Sequence, residues 1–193
     1  MSHATTHGLH RFGVRQRPAD LRTRIGWICQ GLRIAALVWI GWILVLTLMT
    51  WSDRAVVLKA YGQWLSIDLV DVSSARYATA FILVLADLAI VATVAFCIWQ
   101  LFGTYLAGRV FTVDAALWLR RTGLAAIAAV LFDVLDRVVI ASILTGQFMP
   151  LPARGLLVFP QDLLHLIFGL FLLALAHIFK AAAEMADDQA QII

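Results

Sequence analysis

Four long apolar stretches constrain the fold of this chain more than any other feature of its sequence. They occupy residues 34–51, 78–102, 124–145 and 156–179. Each approaches or exceeds the roughly 20 apolar residues that a helix needs to cross a bilayer. The chain is 62% hydrophobic and only 14% charged, whereas soluble domains are nearer half apolar and a quarter charged. We therefore predict an all-α integral membrane protein with a bundle of four transmembrane helices.

The distribution of Lys and Arg predicts the orientation of these helices. Cytoplasmic loops of membrane proteins carry an excess of basic residues. An N-terminus in the cytoplasm leaves few basic residues outside, and both termini are then cytoplasmic. The basic residues placed outside are Arg54, Lys59, Arg76 and Arg154.

The segments outside the apolar stretches are short. Residues 1–19 are polar and basic, which favours a disordered arm, and residues 20–193 then form a single transmembrane domain. The first external loop contains Tyr61 and Trp64, and its residues 56–65 could form a short helix at the membrane surface. Cys29 and Cys97 fall toward the cytoplasmic side, where thiols stay reduced, so we expect them to act as packing residues.

The segment before the third apolar stretch has the features of a helix start. Thr112 can cap a free N–H group, and Asp114 lies in the first turn, at the positive end of the helix dipole. Arg120 and Arg121 give this segment a basic side. A helix over residues 113–145 would be about 50 Å long, so we expect a bend at Gly123. The pattern predicts a cytoplasmic interfacial elbow, of which Arg109 is also a part.

This segment resembles a bacterial membrane family known as domain of unknown function 2975. The family has a loop of the form Gly-x-Pro-Phe-Ser/Thr-x-Glu-Asn, followed by Leu-Arg and a Gly that enters the third helix. The chain departs from this pattern at Val110, in place of Pro, and at Ala115, in place of Asn. Residues 178–193 are similar to the family's C-terminus. The matching residues of the loop are Gly108, Phe111, Thr112, Asp114, Leu119, Arg120 and Gly123.

The resemblance implies a four-helix protein of the bacterial inner membrane, often encoded beside a small helix-turn-helix regulator. It covers nearly the whole chain. It supplies no catalytic residue, because the family has no established activity.

Charged residues interrupt three of the apolar stretches. At 100° per residue, Asp133, Asp136 and Arg137 share one helix face with small alanines, and that face should point into the bundle. Asp133 and Arg137 have the favourable i,i+4 order. Charges on the second and fourth helices fall at a similar depth. We therefore predict a buried polar layer made of Asp87, Asp133, Asp136, Arg137, Asp162 and His165.

The charges of this layer do not balance, and several interpretations remain open. A charge at mid-bilayer costs about 2.5–3.5 kcal/mol. Asp133–Arg137 and Asp162–His165 could be structural pairs, with Asp87 and Asp136 near an external water-filled vestibule. The acids could instead bind a proton or a cation. Asp162 and His165 are a weak match to a di-iron motif, and His165 could ligate haem or a chlorin. We expect no metal and no cofactor.

The sequence contains no phosphate-binding glycine loop, no Cys-x-x-Cys pair and no activated nucleophile. We predict a non-enzymatic accessory or regulatory protein that binds a membrane or cytoplasmic protein partner. Binding would use helix faces, the elbow or the C-terminal tail, and no nucleic acid. The alternatives are a small proton- or cation-coupled transporter that uses the polar layer, and an accessory subunit that binds a cofactor or metal through His165. The charged residues of the tail are Lys180, Glu184, Asp187 and Asp188.

Overall fold

The structure, a computed structural model, describes residues 17–69, 71–109, 112–148 and 158–191. This part of the chain contains five α-helices and no β-strand, so the predicted all-α fold is confirmed. Most of the predicted N-terminal arm, residues 1–16, lies outside the described residues, as does Phe111 of the elbow. The helices are α1 (Arg17–Ser52), α2 (Arg54–Leu65), α3 (Ser74–Leu106), α4 (Val113–Thr145) and α5 (Pro160–Gln191).

Three of the long helices are long and apolar enough to cross a membrane. These are Gly26–Ser52 of α1, the whole of α3, and Pro160–Met185 of α5. Helix α4 is as long as α3, at 33 residues, but its centre carries Asp133, Asp136 and Arg137. Three predicted spans are thus confirmed as membrane-type helices. The fourth span and the cytoplasmic position of both termini remain predictions.

The long helices lie side by side, each antiparallel to its neighbour. At one end of the molecule, Ala80 of α3 packs with Ile140 of α4. At the other end, Leu101 of α3 and Leu119 of α4 pack with Ala176 of α5. Among the described residues, the extensive contacts between long helices follow the order α1, α3, α4, α5. The helices therefore form a layer, and closure of this layer into a bundle remains a prediction.

The short helix predicted in the first external loop is present as α2. Asp53 caps its N-terminus by accepting hydrogen bonds from the N–H groups of Ala55 and Val56, as N-cap aspartates commonly do. Aromatic rings connect it to the long helices, because the Trp51 ring lies 6.5 Å from Tyr61 and 5.3 Å from Tyr77, between centroids. This aromatic group fixes α2 against the ends of α1 and α3.

The predicted elbow is not a separate helix. Helix α4 runs without interruption from Val113 to Thr145, so residues 113–122 are its first turns and the helix continues through Gly123. Gly123 instead allows α4 and α5 to approach closely. A Cβ atom at this position would lie 3.0 Å from the carbonyl oxygen of Gly169 and 3.0 Å from a methyl carbon of Leu173. The glycine is therefore explained by helix packing.

Candidate functional site

Arg137 connects α4 to α5 through two carboxylates. Its guanidinium donates two hydrogen bonds to Asp162, with Nη1–Oδ2 at 2.7 Å and Nη2–Oδ1 at 2.9 Å. The same group donates a hydrogen bond to Asp133, one turn earlier in α4. Such two-pronged contacts between arginine and a carboxylate are among the strongest and most directional in proteins. We call Asp87, Asp133, Asp136, Arg137 and Asp162 the charge cluster.

Asp162 has a second role as the cap of α5. Its Oδ2 accepts a hydrogen bond from the backbone N–H of Phe159, at 2.8 Å. This is the contact of a capping box, in which the third helical residue reaches back to the N-cap. Pro160 takes the first helical position, where its missing N–H costs nothing. Asp162 is only 3% exposed. The hydrogen bond from Phe159 and the ion pair with Arg137 therefore fix the same buried carboxylate.

The remaining two acids of the charge cluster lack such partners. Asp136 is 7% exposed, and its buried Oδ1 has no hydrogen-bond partner among the residues that the structure describes. The Oδ1 atom of Asp87, on α3, is also buried without one. The two carboxyl groups interact electrostatically with each other and with Asp133. Unpaired oxygens of this kind are uncommon in protein interiors and call for an explanation.

His165 does not lie in the buried polar layer in which it was predicted. Its side chain lies on an exposed side of α5. Within the described residues, Asp162 is hydrogen-bonded to Arg137 and not to His165. His165 still interacts electrostatically with Asp162, but the described side-chain hydrogen bonds of that carboxylate come from the arginine of the neighbouring helix. The part of the chain that the structure describes also holds no group of three or more His, Cys, Asp or Glu residues placed to bind a metal.

Helix α2 covers the charge cluster at the end where α4 stops and α5 begins. A cavity of about 250 Å³ lies between Tyr61 and Trp64 of α2, Arg137, and Phe159. Burial, together with the negative charges of Asp136 and Asp133, raises the pKa of Tyr61 to about 12. The phenol is therefore protonated at neutral pH and adds no charge to the cluster.

The turn between α3 and α4 has a defined backbone geometry. Gly108 adopts φ 79°, in the left-handed region that favours glycine. Its N–H donates to the carbonyl of Tyr105 at 2.9 Å, and the N–H of Arg109 donates to that of Thr104 at 3.1 Å. This pair of bonds is a Schellman motif. As predicted, Thr112 caps α4, since its hydroxyl accepts from the Ala115 N–H at 3.3 Å.

The other predicted residues of the elbow and tail lie on the surface. Arg109 and Asp114 form an exposed ion pair of 3.2 Å, and Arg120 and Arg121 are exposed. The guanidinium carbon of Arg121 lies 4.6 Å from the centroid of Trp118. In the tail, Lys180 and Glu184 are 3.6 Å apart, between Nζ and Oε1. Asp187 and Asp188 lie on the backbone of α5, but their side chains lie outside the described part.

Sequence reasoning missed a contact between α1 and α3. The guanidinium carbon of Arg33 on α1 lies 3.8 Å from the centroid of Trp99 on α3. Stacking of this kind stabilises a cation in an apolar setting. An arginine in an otherwise apolar helix indicates a partner of some kind, yet nothing in the sequence identifies Trp99. Cys29 and Cys97 are buried free thiols.

Comparison with family models identifies the chain. The model of the family described as protein of unknown function (DUF2975) matches residues 33–193. Because the match covers most of the chain, the protein belongs to this family. Searches of curated proteins and of solved structures found no match.

Proposed function

We propose that this family member is a non-enzymatic accessory protein of the bacterial inner membrane. In this proposal α1, α3, α4 and α5 all cross the bilayer, and both termini are cytoplasmic. The ends of α3, α4 and α5 around the α3–α4 turn then project into the cytoplasm and bind a protein partner. We call this surface, residues 105–109, 112–122 and 178–185, the cytoplasmic projection.

The packing of α4 supports its assignment as a fourth span. It lies between α3 and α5, which are both membrane-type helices. A helix packed along both of them lies at the same depth in the bilayer as they do. Its charges do not oppose this placement, because charged residues in transmembrane helices commonly face the protein interior and pair there. Arg137 and Asp162 form such a pair across the helix interface.

The length of the helices is the observation that carries the proposal. A helix of 33 residues is about 50 Å long, whereas the hydrocarbon core is only about 30 Å thick. The aromatic group of Trp51, Tyr61 and Tyr77 marks one membrane surface, where such rings concentrate. Roughly 20 Å of helix is therefore left to extend beyond the opposite surface.

The cytoplasmic projection has the chemistry of a protein-binding surface. It combines exposed apolar side chains, among them Leu117 at 44% exposure, with charges of both signs. A central apolar area within a polar rim is typical of protein interfaces. The exposed Arg120 and Arg121 favour an acidic partner, since complementary charge guides association.

In-cell photo-crosslinking tests this proposal. A photoreactive amino acid at position 117 should give a discrete protein adduct. The same group in place of Leu135 is the matched control, because Leu135 is also on α4 and 64% exposed, but lies at mid-membrane depth. The double variant Arg120→Glu with Arg121→Glu should abolish the adduct at position 117. Identical adducts from positions 117 and 135, or only lipid adducts from both, would disprove the proposal.

A further inference from the structure

We propose that Asp87 and Asp136 hold one exchangeable proton between α3 and α4, taken up from the side of the membrane that α2 covers. This site is separate from the cytoplasmic projection and does not depend on a partner. The bound species is a hydrogen ion delivered by water.

The first step of the argument is the distribution of charge in the cluster. Its acids outnumber its one cation, Arg137, which is hydrogen-bonded to Asp133 and Asp162. Within the described residues, Asp87 and Asp136 form no ion pair. Asp87 and Asp136 interact electrostatically, so two ionised carboxylates would repel each other inside the protein, and such pairs commonly retain a proton.

The second step is the hydrogen bonding of the two acids. Asp136 is more than nine-tenths buried, and one oxygen of each carboxyl group has no hydrogen-bond partner. An ionised carboxylate is only an acceptor, so two of them cannot satisfy each other. A proton on one makes it a donor toward the other. One hydrogen ion therefore removes one negative charge and gives the pair a hydrogen-bond donor.

The groups around the pair favour a proton over a metal ion. Tyr61 contributes a neutral phenol from α2, while Asp133 and Arg137 face the pair from α4. Helix α5 contributes Asp162, which Arg137 neutralises, and an exposed His165. Helix α1 has no titratable side chain between residues 34 and 52. The described residues contain no group of three or more ligands placed to bind a metal.

A cavity that reaches the charge cluster at Arg137 offers a route for the proton. The cavity lined by Tyr61, Trp64, Arg137 and Phe159 lies between α2 and the charge cluster. At about 250 Å³, it has room for several water molecules, and Arg137 and Tyr61 supply polar groups in an otherwise mostly apolar lining. Hydronium that reaches the cluster gives its proton to a carboxylate oxygen and leaves as water. No oxidant, reductant or other reactant is required.

Infrared spectroscopy of the full chain in lipid nanodiscs tests the proposal. At neutral pH the wild type should show the carbonyl-stretch band of a protonated carboxylic acid, and the band should shift in heavy water because the proton exchanges. Asp87→Asn and Asp136→Asn should each abolish the band. Asp71→Asn, at an exposed loop position, is the matched control and should retain it.

Three outcomes would overturn the proposal: no such band in the wild type at neutral pH, a band that does not shift in heavy water, or a band that persists in both Asn variants. Asparagine has nearly the shape of a protonated aspartic acid, so we expect both variants to fold, and circular dichroism checks this. If either variant unfolds, the wild-type measurements in water and heavy water still decide the matter. Crosslinking at position 117 is unaffected by either result.

Discussion

At the scale of single residues, Arg137 is the side chain on which the contact between α4 and α5 most depends. Its side chain is 18% exposed, and that of Asp162 is 4% exposed. Breaking a buried ion pair by removing one partner is costly because it leaves the other charge without compensation. Asp162 would also keep its hydrogen bond to the N–H of Phe159 while losing the cation that neutralises it.

We predict that Arg137→Met destabilises the protein by about 3–5 kcal/mol, the typical cost of an uncompensated buried charge. Denaturant unfolding in detergent micelles, followed by circular dichroism, measures this free energy. Arg109→Met is the matched control, since it also removes an Arg–Asp pair. That pair is 55% and 67% exposed, so its loss should cost about 1 kcal/mol at most. Equal losses in the two variants would contradict the assigned role of Arg137.

The sequence predicts part of this site. The spacing of Asp133 and Arg137 places them one helical turn apart, and the structure contains that pair. The sequence does not predict the partner of Asp162, because His165 on the same helix and Arg137 on the neighbouring helix are both chemically suitable. That choice depends on how α4 and α5 are placed relative to each other, which is a tertiary property.

At the scale of elements, the crossing of α4 and α5 depends on two glycines. A Cβ atom at Gly169 would lie 2.7 Å from Cγ1 of Ile127, and one at Gly123 would meet the backbone of α5. Small residues let transmembrane helices approach closely, and helix association in lipid relies on such packing. Arg137 and Asp162 meet across the same pair of helices, nearer the end of α4.

We predict that Gly123→Val destabilises the protein by about 1–3 kcal/mol, the usual cost of overpacking. The added side chain should force α4 and α5 apart. Thermal unfolding measured by size-exclusion chromatography of heated samples detects the change. Gly103→Val is the control, because a Cβ atom at Gly103 meets no atom within 4 Å. A Gly103→Val variant that is as unstable as Gly123→Val would show that helix propensity, and not crossing distance, explains the loss.

The sequence predicts the number of long helices better than their ends. The apolar stretch at residues 124–145 corresponds to α4, but the helix begins at Val113. Hydropathy reports only the part of a helix suited to lipid, and a helix can continue into water when caps and packing support it. The cap at Thr112 and the buried Ala115, Ala116 and Leu119 provide that support. The helix therefore continues through Gly123 without a break, and the bend expected there remains a prediction.

At the scale of the whole molecule, the order α1, α3, α4, α5 gives each outer helix one extensive contact with another long helix among the described residues. Both carry many exposed apolar side chains, including Trp42 of α1 and Phe168 of α5. In water such a surface would cause aggregation, whereas in a bilayer it faces lipid or other proteins. In the proposed topology, the part of this surface within the bilayer contacts lipid, and the part beyond the bilayer contacts water.

We predict that this topology can be read from cysteine labelling in intact cells. In a chain whose Cys29 and Cys97 are replaced by alanine, Lys59→Cys should react with a membrane-impermeant maleimide added outside. Arg120→Cys should react only after the membrane is permeabilised. Both positions are exposed, so access across the membrane is the only expected difference. Labelling of Arg120→Cys in intact cells would reverse the proposed orientation.

The ion pair between Arg137 and Asp162 also has a consequence for biogenesis. Its two residues are 25 positions apart, so α4 leaves the ribosome before the carboxylate that neutralises its arginine. With three charged residues at its centre, α4 alone is a poor substrate for release from a translocon into lipid. We expect it to wait there until α5 arrives, and the two to enter the bilayer as a hairpin.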